Sequence, residues 1–184
     1  MLLLETKRLL LRPYTEEDWS SVHAYAKLKD FAQYDIWGPN TEEDSKKFVY
    51  DCIEKSKQFN AYEHEFAIIL KEKQMLIGGC SLRKVCQNSQ VANFGYAVNP
   101  DYQKQGIATE AAQALLKYSF ETLKVLLVFA LCHTENKASS KVMEKCNMYK
   151  AGIVKNYFKL KTGPADAFRY EISQDQYINM NVNT

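Results

Sequence analysis

The fold is decided by one short stretch, Gln103-Lys104-Gln105-Gly106-Ile107-Ala108, which lies between a strand-like run (93–98) and a long helix with apolar periodicity (109–123). In a glycine-containing turn that opens a helix, successive backbone N–H groups point the same way, and the helix dipole adds positive potential there. The stretch therefore predicts a backbone cradle for an anion such as phosphate.

A second polar segment, Asn136-Lys137-Ala138-Ser139, opens the next helix downstream. A long phosphorylated ligand that is anchored at the cradle would need further polar contacts at such a place. The two segments together indicate a site for coenzyme A.

Upstream of the cradle, the sequence predicts two helices and an antiparallel meander. A strand at 8–13 ends at Pro13, and capping boxes at 15–18 and 41–44 each begin a helix. The runs 66–70 and 75–82 are typical of a hairpin, and 91–98 is typical of the next antiparallel strand.

Downstream of the cradle, the almost unbroken apolar run 125–132 predicts a fully buried strand in the centre of the sheet. A helix at 138–145 and two final strands, near 153–160 and 167–172, complete the chain. Asn147 stands just past that helix, where we expect a left-handed residue. The expected fold is mixed α/β.

Length and composition indicate one domain. The 184 residues include no Pro- or Gly-rich linker and no repeat, and the 46% hydrophobic and 25% charged residues are those of a globular protein. We place the domain at residues 1–178 and expect the polar tail 179–184 to fray.

Charge and cysteine content exclude several classes of function. Twenty-four basic and 22 acidic residues give a net charge of +2, which argues against direct nucleic-acid binding. No signal peptide or membrane span is visible, so we expect a cytoplasmic protein that binds no membrane. Five cysteines without a C-x-x-C pair argue against disulfides and zinc, so we expect reduced thiols and no metal site.

Four separated motifs give the chain a resemblance to a known family. They are LETKRLLLRP at 4–13, GYAVNP at 95–100, GIATEA at 106–111 and NKAS at 136–139. In this order they resemble the GCN5-related N-acetyltransferases (GNAT), and more narrowly the branch of ribosomal-protein alanine and serine N-terminal acetyltransferases. The resemblance covers nearly the whole chain. It implies a single domain with a mostly antiparallel, twisted sheet flanked by helices and a splayed central strand pair.

The resemblance also implies acetyl-CoA as acyl donor and coenzyme A as product. The cradle would hold the pyrophosphate, and the strand before it, which in the family carries a bulge and splays from its neighbour, would bind the pantetheine arm. The positions that match the family's cofactor contacts are Tyr96, Ala97, Val98, Gln103, Lys104, Gln105, Gly106, Ile107, Ala108, Thr109, Asn136 and Ser139.

Two catalytic roles follow from the same resemblance. The Val98 amide matches the donor to the thioester carbonyl, where negative charge grows as the amine attacks. Ser139 matches a position that in some relatives protonates the departing thiolate, and helix capping is the alternative for this residue.

The general base is not at the positions familiar in the family, because Asn93 stands where this branch often has an acid. The candidates are Glu65, His64 and His133, together with a water molecule positioned by Asn93. A base is dispensable if the amine arrives neutral.

The acceptor is expected between the first two helices and the last hairpin, with Tyr34, Trp37 and Tyr157 as lining; core packing is the alternative for these rings. The resemblance implies transfer to a primary amine, either a protein N-terminus or a small amine, by direct attack in a ternary complex. We expect a monomer or a homodimer. Because the family's acid positions are empty, the alternative function is a catalytically weak sensor or scaffold that binds acyl-CoA.

Overall fold

In the computed structural model, which describes residues 2–34, 37–57, 63–160 and 162–182, eight strands form a single sheet. In chain order these strands are β1 (Leu4–Glu5), β2 (Leu9–Arg12), β3 (Glu63–Leu70), β4 (Met75–Lys84), β5 (Val91–Val98), β6 (Leu127–His133), β7 (Tyr149–Leu160) and β8 (Gly163–Ser173). Their order across the sheet is β1-β2-β3-β4-β5-β6-β8-β7. Among these described strands only β5 and β6 run parallel.

Helices cover both faces of the sheet. The α-helices are α1 (Trp19–Ala26), α2 (Glu42–Lys57), α3 (Ile107–Lys117), α4 (Lys137–Lys145) and α5 (Gln174–Val182). Short 3-10 helices lie at Glu16–Asp18, Lys29–Ala32 and Pro100–Tyr102, and a π-helix at Tyr118–Thr122 continues α3. Within the described ranges, no helix combines the length and apolarity that crossing a membrane requires.

Two hydrophobic cores lie on opposite faces of the sheet, because side chains alternate along each strand. Phe66 and Ile68 point to the face covered by α3, α4 and α5, here called the α3/α4 face. Ala67 and Ile69 point to the face covered by α1 and α2, here called the α1/α2 face. The sheet therefore divides the molecule into two compartments.

Both predicted capping boxes are present. Asp18 accepts a hydrogen bond from the Thr15 amide at 2.8 Å, and a bidentate pair with Arg12 also holds its carboxylate. At the start of α2, the Asp44 amide donates to the Thr41 hydroxyl at 3.1 Å and the Thr41 amide donates back to the Asp44 carboxylate at 3.0 Å. These local bonds supply the acceptors that helix starts lack.

The predicted meander is confirmed, since β2, β3, β4 and β5 are consecutive antiparallel neighbours. The apolar run 125–132 is confirmed as a buried strand, because β6 lies between β5 and β8. Asn147 has φ +56° and stands just past α4, so the predicted left-handed position is also confirmed.

The structure corrects several predicted boundaries. The helix after the cradle begins at Ile107, not at 109, because Gly106 takes the N-cap position, and its last turn is a π-helix. The final two strands are longer than the apolar pattern indicated, because most of β7 is exposed and carries little hydrophobic signal. The tail predicted from 179 begins inside α5, which continues to Val182.

All five cysteines are free thiols, as predicted. Cys52, Cys80, Cys132 and Cys146 are buried, and burial raises the pKa of each of these thiols. Cys86 is exposed in the turn between β4 and β5. The buried thiols act as small apolar side chains.

Candidate active site

An opening between β5 and β6 is the central feature of the site. The two strands pair only at 91–93 and 127–129, whereas β5 stays paired with β4 up to Val98 and β6 stays paired with β8 up to His133. The predicted splayed pair is therefore confirmed. The bulge that the resemblance placed in this strand is wrong, because β5 pairs with β4 without interruption. A register shift lies instead between β3 and β4, where Ile68 is opposite Gly78 and Ile69 is opposite Leu76, so that Ile77 of β4 is the extra residue.

The Val98 amide points into this opening. The Asn99 amide donates to the Ile77 carbonyl at 2.9 Å, so Asn99 faces β4. Neighbouring residues of a strand direct their N–H groups to opposite sides. The amides of Val98 and Tyr96 therefore point toward β6. The amide of Ala97 faces β4, and its methyl group lines the cavity described below.

The cradle at 103–106 has the alternation of backbone conformations that collects N–H groups around an anion. Lys104 has φ +60° and Gly106 has φ +78°, and Gly106 is the N-cap of α3. The side chain of Gln103 donates to the Val98 carbonyl at 3.0 Å, and that of Gln105 donates to the Asp101 carbonyl at 3.1 Å. The glutamines thus hold the loop, and the first amides of α3, at 107–109, have no acceptor within the helix.

An ion pair between Arg8, in the turn before β2, and Glu110 of α3 fixes the cradle from the other side. The Glu110 carboxylate accepts the Thr6 hydroxyl at 2.6 Å, the Arg8 amide at 2.8 Å and Arg8 Nε at 2.6 Å. Arg8 Nη1 also donates to the Gln105 carbonyl at 2.9 Å. Partial burial acts to raise the pKa of Glu110, but the hydrogen bonds from Thr6 and Arg8 outweigh it and hold the pKa below the ordinary value.

The start of α4 approaches β5 across the opening. The side-chain carbonyl of Asn136 caps α4 by accepting the Ser139 amide at 3.0 Å. The Ser139 hydroxyl lies 2.9 Å from the Tyr96 hydroxyl. Burial raises the pKa of Tyr96 well above its ordinary value, so its phenol stays protonated. The Ser139 hydroxyl thus faces the opening and is held by a hydrogen bond with the neutral phenol of Tyr96.

A cavity of about 580 Å³ lies on the α1/α2 face beside the opening. Its walls are mainly aromatic, and they include Tyr14, Tyr25, Trp37, Phe48, Tyr157 and Phe158. Its floor is formed by small residues of β4 and β5, namely Gly79, Ser81, Gly95 and Ala97. Because these positions carry little or no side chain, space stays open over Gly95, whereas the Tyr14 hydroxyl fills the space over Gly79.

Glu65 is the acid that lines this cavity among the described residues, and two cations hold it. Its carboxylate contacts the Arg83 guanidinium and lies 4.0 Å from Lys55 Nζ. Both cations also pair with Glu63, at 3.0 Å for Arg83 and 2.9 Å for Lys55. Burial raises the pKa of Glu65, and the attraction of Arg83 and Lys55 only partly offsets this. The carboxylate is therefore more basic than an ordinary glutamate.

The other two candidate bases lie elsewhere. The His64 ring packs on Phe66 and Tyr118 on the α3/α4 face, away from the cavity. The His133 ring accepts the Glu135 amide on Nδ1 at 3.1 Å, which leaves the proton of a neutral ring on Nε2. Neither histidine is among the lining residues of the cavity.

The structure brings together Glu65, Asn93, Trp37 and Tyr157, which all line the cavity. Tyr34 is not among the lining residues, and its ring packs on His133 with 5.2 Å between centroids. Arg83 and Ser81 also line the cavity and were not among the predicted site residues. Strand alternation was the available signal, since Glu65 lies opposite Ser81 and Glu63 opposite Arg83 across the hairpin.

A family model described as the acetyltransferase (GNAT) domain matches residues 8–149. The chain belongs to the GNAT acetyltransferase family. The match includes the cradle, the opening and the start of α4, so the predicted family is confirmed. GNAT enzymes use acetyl-CoA as acyl donor and release coenzyme A. The left-handed glycine of the cradle and the unpaired edge of β5 fit this ligand.

Two named N-acetyltransferases are similar to this chain over most of its length. An uncharacterized N-acetyltransferase YnaD of Bacillus subtilis is 34% identical over 174 residues, which cover 95% of this chain and 98% of the relative. A spermidine N(1)-acetyltransferase of Escherichia coli is 25% identical over 171 residues, which cover 91% of this chain and 87% of the relative. The chain is an N-acetyltransferase.

Solved structures agree with the GNAT fold. An acetyltransferase of this family from Bacillus anthracis superposes with a TM-score of 0.82 at 33% identity, covering 95% of this chain and 99% of that chain. RimL, a ribosomal L7/L12 alpha-N-protein acetyltransferase in complex with coenzyme A, superposes with a TM-score of 0.82 at 21% identity, covering 95% and 99%. The second likeness concerns the fold alone.

Proposed function

We propose that this GNAT chain acetylates a primary amine, either a protein N-terminus or a small amine, by direct attack within a ternary complex. The single observation that carries the proposal is the opening between β5 and β6. The cradle lies at the end of β5, and the cavity is lined by β5 residues on one side of the opening and by Phe129 and Leu131 of β6 on the other. A donor bound along the opening would thus reach an acceptor held in the cavity.

The cradle would bind the pyrophosphate through backbone amides of residues 103–109, where the dipole of α3 favours negative charge. The opening would take the pantetheine arm, because the amides of Tyr96 and Val98 face away from β4 and pair with no strand that the structure describes. Asn136 and Ser139 would contact the arm from α4. Acetyl-CoA supplies an acetyl group activated as a thioester.

Val98 would stabilise the negative charge that builds on the acyl oxygen during attack. A backbone N–H fixed by a paired strand needs no reorganisation, and its hydrogen bond strengthens as the charge grows. The pairing of β5 with β4 up to Val98 provides this rigidity. An acceptor in the cavity would approach from the α1/α2 face.

Glu65 would accept the amine proton, either directly or through a water molecule held by Asn93. Burial raises its pKa, which makes it a better base than an ordinary glutamate. Ser139, with its hydroxyl held by Tyr96, would donate its proton to the departing thiolate and regain one from solvent, while Glu65 releases the amine proton to solvent. The reaction then ends with a neutral thiol and an amide.

The experiment is incubation with acetyl-CoA and a panel of peptides and small amines, with mass spectrometry of the product and chromatography of released coenzyme A. Acetylated amine, together with coenzyme A release above that of the amine-free control, supports the proposal. Binding of acetyl-CoA in calorimetry without product on any amine would instead favour the sensor or scaffold, which the empty family acid positions motivate.

Ser139→Ala tests the proton-donor role of Ser139. The variant removes the hydroxyl and keeps the cap of α4, because Asn136 accepts the backbone amide of position 139. We expect kcat to fall while the affinity for coenzyme A changes little. An unchanged kcat would contradict the proton-donor role. The cytoplasmic location and the monomer or homodimer state remain predictions from the sequence.

A further inference from the structure

The cavity beside the opening has a charge balance that limits which amines it can hold. Glu65, Arg83 and Lys159 are the charged lining residues in the part of the chain that the structure describes. Glu65 already contacts Arg83 and lies 4.0 Å from Lys55. No described acid forms an ion pair with Lys159. The described lining is therefore net positive, and a second ammonium group would find no free carboxylate there.

The acid that lies just behind Glu65 is also engaged. Glu63 pairs with Lys55 at 2.9 Å and with Arg83 at 3.0 Å, so two acids and two cations form one closed cluster. Hydrogen bonds and charge attraction from this cluster hold the pKa of Glu63 below its ordinary value despite partial burial. A polycation would have to break these pairs in order to be neutralised.

The walls of the cavity favour a flat apolar body. On the α1/α2 side, the Trp37 ring packs on Phe48 with centroids 4.8 Å apart, and Phe48 packs on Tyr14 at 5.6 Å. On the opposite side, the Tyr157 and Phe158 rings pack edge to face at 5.0 Å. Aromatic faces bind planar apolar groups through large contact areas with little loss of side-chain freedom.

The floor leaves room for such a body. A methyl group at Gly79 would overlap the Tyr14 hydroxyl, so this position requires glycine. At Gly95 the nearest atom to an added methyl would be Ser81 Oγ at 3.5 Å, so space remains open over β5. A ring has access to the backbone of the sheet close to Glu65 and Asn93.

We propose that the acceptor is a primary monoamine carried on a flat, ring-containing apolar body, and that polyamines are poor acceptors. This inference rests on the proposed acetyl transfer and deepens it by naming the acceptor class. The amine reaches Glu65 and the opening, and the ring lies between the aromatic walls. The uncharged body leaves the Glu63, Glu65, Arg83 and Lys55 cluster intact.

The test compares two acceptors of nearly the same shape, 4-ethylbenzylamine and 4-(aminomethyl)benzylamine, which differ by a second amino group. The kcat/KM should be at least about tenfold higher for the monoamine, because the second ammonium is desolvated without a partner. Spermidine should be a poorer acceptor than either. Heptylamine, which has no ring, should show a higher KM than 4-ethylbenzylamine.

Two variants connect this preference to the cavity. Lys159→Glu places a carboxylate at the rim and should narrow the ratio between the two benzylamines by about threefold, the size of one partly exposed ion pair. Lys124→Glu, an exposed lysine that does not line the cavity, is the matched control and should leave the ratio unchanged. Tyr157→Ala should raise the KM for 4-ethylbenzylamine, and Tyr157→Phe should restore it.

The outcomes separate this inference from the proposed function. A preference for the diamine, for spermidine or for peptide N-termini overturns the acceptor class and leaves acetyl transfer standing. A ratio that Lys159→Glu does not change also overturns it, since the rim charge would then play no part. If acetyl-CoA binds and no amine of any class is acetylated, the proposed function fails and this inference fails with it.

Discussion

At the scale of single residues, two opposing influences act on the pKa of Glu65. Burial raises the pKa of its carboxyl, and the neighbouring cations Arg83 and Lys55 pull the pKa down by a smaller amount. The net effect is a carboxyl whose pKa lies above the ordinary glutamate value of 4.5. Such a group suits proton acceptance from an amine.

Glu65→Gln tests this role. The kcat/KM of the unmodified protein should rise with pH as Glu65 loses its proton, with a midpoint above 4.5. The variant should lose this rising limb and about a hundredfold of kcat/KM, the usual size of one general base. The measurement is the pH profile of acetyl transfer at saturating acetyl-CoA.

Glu63→Gln is the matched control, because Glu63 shares the cations of Glu65 without lining the cavity. It should keep the rising limb. If Glu65→Gln retains the limb as well, the proton is accepted elsewhere and the assignment of Glu65 is wrong.

Gly106→Ala tests whether the cradle binds acetyl-CoA. Gly106 has φ +78°, which costs an alanine about 1–2 kcal/mol, and the added methyl would lie 3.4 Å from Arg8 Nη2. The loop should shift to relieve this strain, and the KM for acetyl-CoA should rise by about tenfold, which corresponds to about 1.4 kcal/mol. Steady-state kinetics with varied acetyl-CoA provide the value.

Gly152→Ala serves for comparison, since Gly152 lies in β7 without a left-handed φ and with open space around it. It should leave the KM for acetyl-CoA unchanged. Equal KM values for Gly106→Ala and the unmodified protein would show that the loop does not bind the donor.

At the scale of elements, α3 depends on a contact from the start of the chain. Glu110, in its first turn, accepts three hydrogen bonds from Thr6 and Arg8, and Arg8 continues to the Gln105 carbonyl. The ion pair thus joins the turn before β2, the cradle and α3 into one unit. Movement of this turn would change the position of the cradle.

Glu110→Gln should lower the free energy of unfolding by about 2 kcal/mol at pH 7, because it weakens hydrogen bonds made to a charged group. The folded pKa of Glu110 lies below its unfolded value of 4.5. The contribution is therefore complete above pH 4.5 and is lost as the pH falls through the folded pKa. Urea unfolding at pH 7 and pH 3 should show the difference from the unmodified protein shrinking at pH 3.

Glu72→Gln is the control for this series, since Glu72 is exposed in the turn between β3 and β4. It should change the stability by less than about 0.5 kcal/mol at both pH values. A Glu110→Gln effect that is equal at pH 7 and pH 3 would contradict a charge-dependent role.

The elements themselves could be predicted from the sequence where the signal is local. The capping boxes at Thr15 and Thr41, the turn at Gly106 and the left-handed Asn147 each depend on a few adjacent residues. Apolar runs identified the buried strands for the same reason. Exposed β7 lacks such a pattern, and its first four residues were missed.

Contacts between distant segments could not be predicted. The Arg8 and Glu110 partners are 102 positions apart, and no local pattern encodes their meeting. The exact pairing of Glu65 with Arg83 depends on the register of the hairpin, which the turn sets. Tyr34 failed as a lining residue because its ring packs on His133. Local patterns thus indicated residues around the opening and the cavity, whereas the ion pairs there depend on the tertiary fold.

At the scale of the whole molecule, the sheet separates the cradle from the aromatic cavity. The cradle and α4 belong to one face, the aromatic cavity belongs to the other, and the opening between β5 and β6 connects them. The same two-sided packing keeps four of the five thiols inside the molecule.

Reaction with a maleimide should report this packing. Because burial raises the pKa of the thiols of Cys52, Cys80, Cys132 and Cys146, the reactive thiolate is scarce as well as inaccessible. The native protein should react at one thiol, Cys86, and the protein in urea at all five. Intact-mass spectrometry counts the adducts, and Cys86→Ser should abolish the native adduct. Two or more adducts on the native protein would show that a buried thiol becomes exposed during the reaction.

Exposed Cys86 also has a practical consequence for colorimetric assays of turnover. A thiol-reactive dye that follows coenzyme A release would record one dye equivalent per enzyme molecule before any catalysis, and this offset would resemble a single-turnover burst. Cys86→Ser removes the artefact. Alternatively, the same side chain accepts a fluorophore in the unmutated enzyme, in a turn remote from the anion site.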